Sequence, residues 1–207
     1  MGSKTKRGFI FIFVLLISLN PVFADIFISE IYHDWPGGDN GHEWVEVYNP
    51  GGYIALGEWY FEDASNDFWE GQCWRLSGYV NAEEYAVITR NSAQFLEDHP
   101  GFGGNIIDTT YTLHLDDEEG IIRLNHIPGG IYVGSSGHGD CVGPAEDEVH
   151  YETFGEGYSI ERCADGLIRG PFNGNPGYTD CEYVIPEFSG IGLILASLAG
   201  LLLILKR

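Results

Sequence analysis

A nucleophilic hydrolase needs a hydroxyl or thiol with a base in reach. Ser135, Ser136 and His138 supply those groups inside one Gly-rich stretch, 134–144. No Gly-x-Ser-x-Gly elbow presents either serine, and Ser-Gly spacers read as loops. A helical H-E-x-x-H zinc motif is absent from the sequence. His138, Asp140 and Cys141 form a metal-ligating trio by residue type, although an exposed loop is the preferred reading. His33, Asp34, Asp39, His42 and Glu43 surround a Gly-rich turn, and oxygen-rich turns can hold calcium. Asp39-Asn40-Gly41 is also an ordinary turn sequence, which is the preferred reading. Glu30 and Glu46 have the residue type of a glycosidase acid–base pair. Paired glutamates on a wet strand face are the commoner arrangement. Phe68, Trp69, Trp74 and Tyr79 can form a stacking platform for sugars or a satellite apolar cluster pinned by Cys73. No Gly-rich phosphate cradle opens a helix. The expectation is a protein without catalytic residues, with Asp34, Asp39, Glu43, Trp69 and Trp74 as a ligand- or calcium-binding surface and no other cofactor.

Short apolar–polar alternations must position these residues, because helical periodicity is nearly absent between Asp25 and Ile185. Strands are expected over 26–32, 44–48, 56–62, 73–76, 85–89, 110–115, 121–125, 131–133, 148–153 and 159–162. In the first, alternation puts Ile26, Ile28 and Glu30 on one face. One helical turn is expected over 92–98, capped by Asn91 or Ser92 and stopped before Pro100. Many short strands between turn residues predict an all-β sandwich.

Charge narrows the partners. All three lysines (Lys4, Lys6, Lys206) lie at the ends of the chain. Residues 25–185 keep five arginines against 30 of the 31 carboxylates, a formal net charge of −25. Such a domain repels nucleic acid and anionic membrane surfaces. Acids spread along the chain favour surface solvation in salt over a dedicated cation site. Aromatic and apolar content are those of a folded domain.

The ends predict export. Lys4, Lys6 and Arg7 precede an apolar run, 8–19, followed by Asn20-Pro21 and Val22-Phe23-Ala24. That order is a secretory signal peptide, 1–24, with the mature chain starting at Asp25; the alternative is an uncleaved anchor. Four cysteines remain, and an even count outside the cell suggests two disulfides. Cys73–Cys141 and Cys163–Cys181 are the expected pairs, against an alternative of four free thiols. At the other end an apolar stretch, 189–205, precedes Lys206-Arg207. As a helix it reaches roughly 25 Å, slightly short of a bilayer core, with the cations favouring the cytoplasmic side.

Two resemblances sharpen this outline. Pro186-Glu187-Phe188, the apolar stretch and the basic end together resemble archaeal PEF-type C-terminal sorting signals. That resemblance implies processing by an archaeosortase-type transpeptidase and replacement of the tail, 181–207, by a lipid. An ordinary transmembrane anchor is the alternative. Ile28-Ser29-Glu30-Ile31, Glu43-Trp44-Val45-Glu46-Val47-Tyr48-Asn49-Pro50-Gly51, Leu56-Gly57-Glu58-Trp59, Glu84-Tyr85-Ala86-Val87-Ile88, Gly157-Tyr158-Ser159-Ile160-Glu161-Arg162 and Asn175-Pro176-Gly177 follow the order of a lamin-tail domain. A late hairpin falls at 113–124, and Trp59 takes the place of the buried aromatic. The resemblance spans about residues 26–178. It implies an immunoglobulin-like sandwich, 25–180, that binds an extracellular protein or glycan at the cell surface and catalyses nothing; a calcium-stabilised envelope component and a secreted hydrolase accessory domain are the alternatives.

Overall fold

A computed structural model describes residues 26–38, 41–63, 72–109, 113–129, 141 and 145–179. The signal-peptide and sorting-tail segments, the strand expected at 131–133, Asp39, Phe68, Trp69, Ser135, Ser136, His138, Asp140 and Cys181 lie outside the described residues.

Twelve strands and one helix are described: β1 Phe27–Tyr32, β2 Trp44–Asn49, β3 Ile54–Ala55, β4 Trp59–Asp63, β5 Gln72–Arg75, β6 Tyr79–Val80, β7 Glu84–Thr89, α1 Ser92–Asp98, β8 Asn105–Asp108, β9 Glu119–His126, β10 Ala145–Glu152, β11 Tyr158–Cys163 and β12 Gly166–Phe172. They form a six-stranded sheet in the order β12-β11-β1-β2-β7-β8, a four-stranded sheet β10-β9-β4-β5, and a small β3-β6 ribbon. The expected all-β sandwich is present. A single core joins Ile28, Ile31, Val45, Val47 and Ile160 of the larger sheet to Phe61, Ile122, Leu124 and Val149 of the smaller.

The six-stranded sheet is covered on both faces. β7 and β8 run parallel, so the chain must cross over between them, and α1 makes the crossing. Asn91 caps α1 by accepting hydrogen bonds from Ala93 and Gln94 N–H. The helix drops Phe95 onto Tyr32, Trp44 and Val87 on the outer face of the sheet. Burial on both sides makes β1 and β2 almost continuously inaccessible and overrides simple alternation.

Several local expectations are corrected. A β-bulge lies between Ile28 and Glu30 in the β1–β2 pairing. It keeps Ile28 and Ile31 in the core and turns Glu30 to the opposite face, away from Ile26 and Ile28. Leu56–Glu58 is a 3-10 turn rather than the start of a strand. Leu113 and Leu115 are buried with strand-like spacing, yet side chains bind their amides. The Thr109 hydroxyl accepts from Leu113 N–H at 3.3 Å and the Glu43 carboxylate from Leu115 N–H at 2.9 Å. β9 therefore pairs with β10 and β4, and no hairpin begins at Leu113.

Two polar clips and a disulfide tie the strands together. Asp147 of β10 accepts from Ile28 N–H at 2.8 Å and from Arg162 at 2.6 Å, joining the two sheets. Asn49, fully buried, donates to the Gly52, Val80 and Asn81 carbonyls and accepts from Gly51 N–H, so the Asn-Pro turn is tied to β6. Cys73 of β5 is bonded to Cys141 with Cα atoms 5.3 Å apart, as expected. Cys163 is also disulfide-bonded; its expected partner, Cys181, lies outside the described residues.

Candidate functional site

The residues that looked most chemical in the sequence are mostly interior. Glu30 and Glu46 are 2 % and 0 % exposed, which corrects the expectation of a wet face. The bulge in β1 and the regular pairing of β2 set Glu30 opposite Glu46, and Glu30 is also opposite Glu161 of β11. Glu161 is 2 % exposed, so three carboxylates share one enclosed patch on the outer face of the six-stranded sheet.

The chain itself supplies donors to this patch. Ser29 donates to Glu46 Oε1 at 2.8 Å, and Gly177 N–H donates to Glu46 Oε2. Asn175 N–H donates to Glu30 Oε1 at 3.2 Å. In the orientation that gives both its amide atoms partners, the Asn175 side chain donates to Glu30 at 2.9 Å and Glu161 at 3.1 Å. Thr179 donates to Glu161 Oε2 at 3.3 Å. A strap at 173–179 thus crosses the three strands. Gly174 makes this approach possible: its φ is +69°, and a Cβ there would collide with the Trp44 ring.

Burial dominates the electrostatics. Desolvation, followed by repulsion from Glu46, holds the Glu30 carboxyl well above its ordinary range. Desolvation raises Glu46 to about 8 despite the donors from Gly177 and Ser29. The pair is enclosed by the chain and does not flank an open cleft as a glycosidase pair would.

The turn residues also separate. Glu43 is fully buried and accepts from Leu115 N–H, so it belongs to the interior and not to a calcium-binding surface. His33 packs against Tyr151, with ring centres 5.1 Å apart. His42 stacks on Trp35 and lies 2.7 Å from Asp98. Asp34 is half-buried, and its carbonyl accepts from Gly157 N–H. Trp74 is half-buried and stacks on Phe61 of the core. Cys141 is oxidised in its disulfide, so it cannot serve as a thiolate ligand beside His138 and Asp140. Among the described residues no three His, Cys, Asp or Glu side chains are grouped to hold a metal ion.

Two exposed features that sequence reading missed remain. A groove of about 550 Å³ is lined by Glu119, Ile121, His150, Glu152, Phe154 and Leu167. Glu148 fixes its rim by taking Arg123 at 2.5 Å and His150 at 2.7 Å. The Arg123 hydrogen bond, then that from His150, lowers the Glu148 carboxyl below its usual range. Elsewhere Tyr53 and Tyr79, 66 % and 48 % exposed, stack with ring centres 5.6 Å apart beside the β3–β6 ribbon. The alternating exposure of β10 at Glu146, Glu148, His150 and Glu152 was a signal for the groove; Tyr53 carried none, because its partner is 26 positions away.

No protein-family model matches the chain, and no curated protein matches it. Among the described residues no helix is long and apolar enough to cross a membrane; the stretch 189–205 is not among them.

Proposed function

We propose that this chain is an exported, surface-held adhesion or interaction module that performs no catalysis. The observation that carries the reading is the fate of its acids. Glu30, Glu43, Glu46 and Glu62 are buried and occupied by donors from the chain itself. The accessible surface instead offers carboxylates, an imidazole and aromatic rings in an open groove and a tyrosine pair. Such groups recognise ligands by charge and stacking.

The finer architecture proposed is an immunoglobulin-like sandwich of the lamin-tail type. Supporting it, four of the segments that carry the resemblance meet at the carboxylate patch: those of Glu30, Glu46, Glu161 and Asn175-Pro176-Gly177. Disulfide bonding at Cys73, Cys141 and Cys163 agrees with an oxidising compartment. The signal peptide, the acidic lysine-free domain and the Pro186-Glu187-Phe188 tail give export, display and anchoring through the helix or a replacing lipid.

Mass spectrometry of the protein purified from its native envelope tests the reading. Expected are a mature start at Asp25, and either a lipid-bearing end near the Pro186-Glu187-Phe188 motif or a retained tail within the membrane fraction. Recovery of the uncleaved polypeptide as a dissolved cytosolic protein would overturn it. Turnover of an ester, nucleic acid or glycan that disappears in H138A or E46Q would replace it with an enzyme.

A further inference from the structure

We propose that the strap at 173–179 is a proton-held latch, seated on the six-stranded sheet while the Glu30 and Glu46 carboxylates retain protons and lifting when they ionise. The inference uses only the sheet and the strap. It stands whether the tail beyond is cleaved or kept.

Each of the three carboxylates takes a donor from the strap: Glu30 from Asn175, Glu46 from Gly177 and Glu161 from Thr179. These same groups face one another across adjacent strands. When ionised, they place like charges directly opposite each other, which destabilises a sheet even at an exposed face. Here they are also excluded from water by the strap that binds them. The strap's donors favour the ionised form, but burial and mutual repulsion win, as the elevated Glu30 and Glu46 carboxyls show. Lifting the strap would return the carboxylates to water and relieve both penalties at once.

Among the described residues, no cation is among the groups acting on Glu30 or Glu46. On β12, the Arg169 guanidinium lies 3.4 Å from the centre of the Tyr158 ring. On β11, Arg162 pairs with Asp147. At α1, His42 pairs with Asp98, while His99 packs edge-on to Trp44 and is shifted toward its neutral form by burial. On β7, Glu84 accepts from Asn81, and Tyr85 lies against Tyr48. On β8, Asp108 accepts from Ser92. Within the strap the one titratable side chain is Tyr178, which is 62 % exposed. The protons on Glu30 and Glu46 are therefore the variable that sets the charge beneath the strap.

Hydrogen exchange on the full chain in detergent micelles tests the latch between pH 5 and pH 9. Rates are corrected for intrinsic pH dependence, and peptides covering 173–179 are compared with peptides covering β4. Expected is a progressive loss of strap protection as pH rises from 5, up to about tenfold per pH unit and levelling off above pH 8, while β4 remains protected. E46Q, which carries a neutral amide at that position, should keep the strap protected at pH 9. If E46Q does not fold, E30Q is measured in its place. Strap protection that tracks β4 at every pH, loss of both together, or a folded variant with the wild-type pH profile would each overturn the latch.

Discussion

The backbone amide of Gly177 donates to the carboxylate of Glu46 across 131 positions of sequence. Through this bond the last described turn of the chain is attached to its second strand, at a side chain whose proton affinity is far from ordinary. Glu46 is raised to about 8 when folded, against about 4.5 when unfolded. The folded state thus binds the extra proton between these values. Its contribution to stability is fully present below pH 4.5 and is lost as pH rises to 8. The slope is on the order of 1 kcal/mol per pH unit. Denaturation of wild type and E46Q across this window should show wild type losing stability relative to the variant as pH increases. Parallel curves would contradict the assignment.

The Cys73–Cys141 bond closes a span of 68 residues. Restricting an unfolded chain over that length is worth about 4 kcal/mol. The C73A/C141A variant should lose stability of that order in chemical denaturation. It should also loosen position 141, whose N–H donates to the buried Glu62 carboxylate. A loss well below 1 kcal/mol would mean that the Glu62 contact alone holds the segment.

Asn49 makes four hydrogen bonds from a fully buried side chain. Removing it strands three carbonyls and one amide. N49A should cost about 2–4 kcal/mol, with an unchanged denaturant slope. N49D keeps the acceptor but removes the donors, and should be no more stable than N49A.

Calcium should act only as a salt. The buried glutamates are occupied by the chain's own donors, while a formal charge of −25 over residues 25–185 makes the fold sensitive to screening. Raising sodium chloride should increase Tm, and calcium at matched ionic strength should add nothing further. An additional rise at millimolar calcium would establish a specific site.

Much of this fold was legible in the sequence because strand length, turn residues and the Asn91 cap are local signals. β2, β7, β9, β11 and α1 appear where alternation and capping put them. The errors have physical origins. The bulge in β1 reverses the face of Glu30, and alternation cannot reveal an extra residue. Leu113 and Leu115 mimic a strand because both are buried, but the partners of their amides are side chains of Thr109 and Glu43, distant in sequence from Leu115. β12 was missed because Gly166, Gly170 and Pro171 read as loop, whereas an edge strand tolerates them. Burial of the three glutamates depends on a strap whose Gly177 lies 131 positions from Glu46, which no local pattern encodes.

The route of the chain through the strap also decides how the domain meets mechanical load. Cys163, at the end of β11, is disulfide-bonded, and its expected partner Cys181 follows the strap directly. With that pairing, a pull from beyond residue 181 enters the sheet at β11, one strand in from the β12 border, and bypasses the strap's contacts to Glu161, Glu46 and Glu30. A domain tethered from that end would thus keep its acid-held segment out of the line of tension.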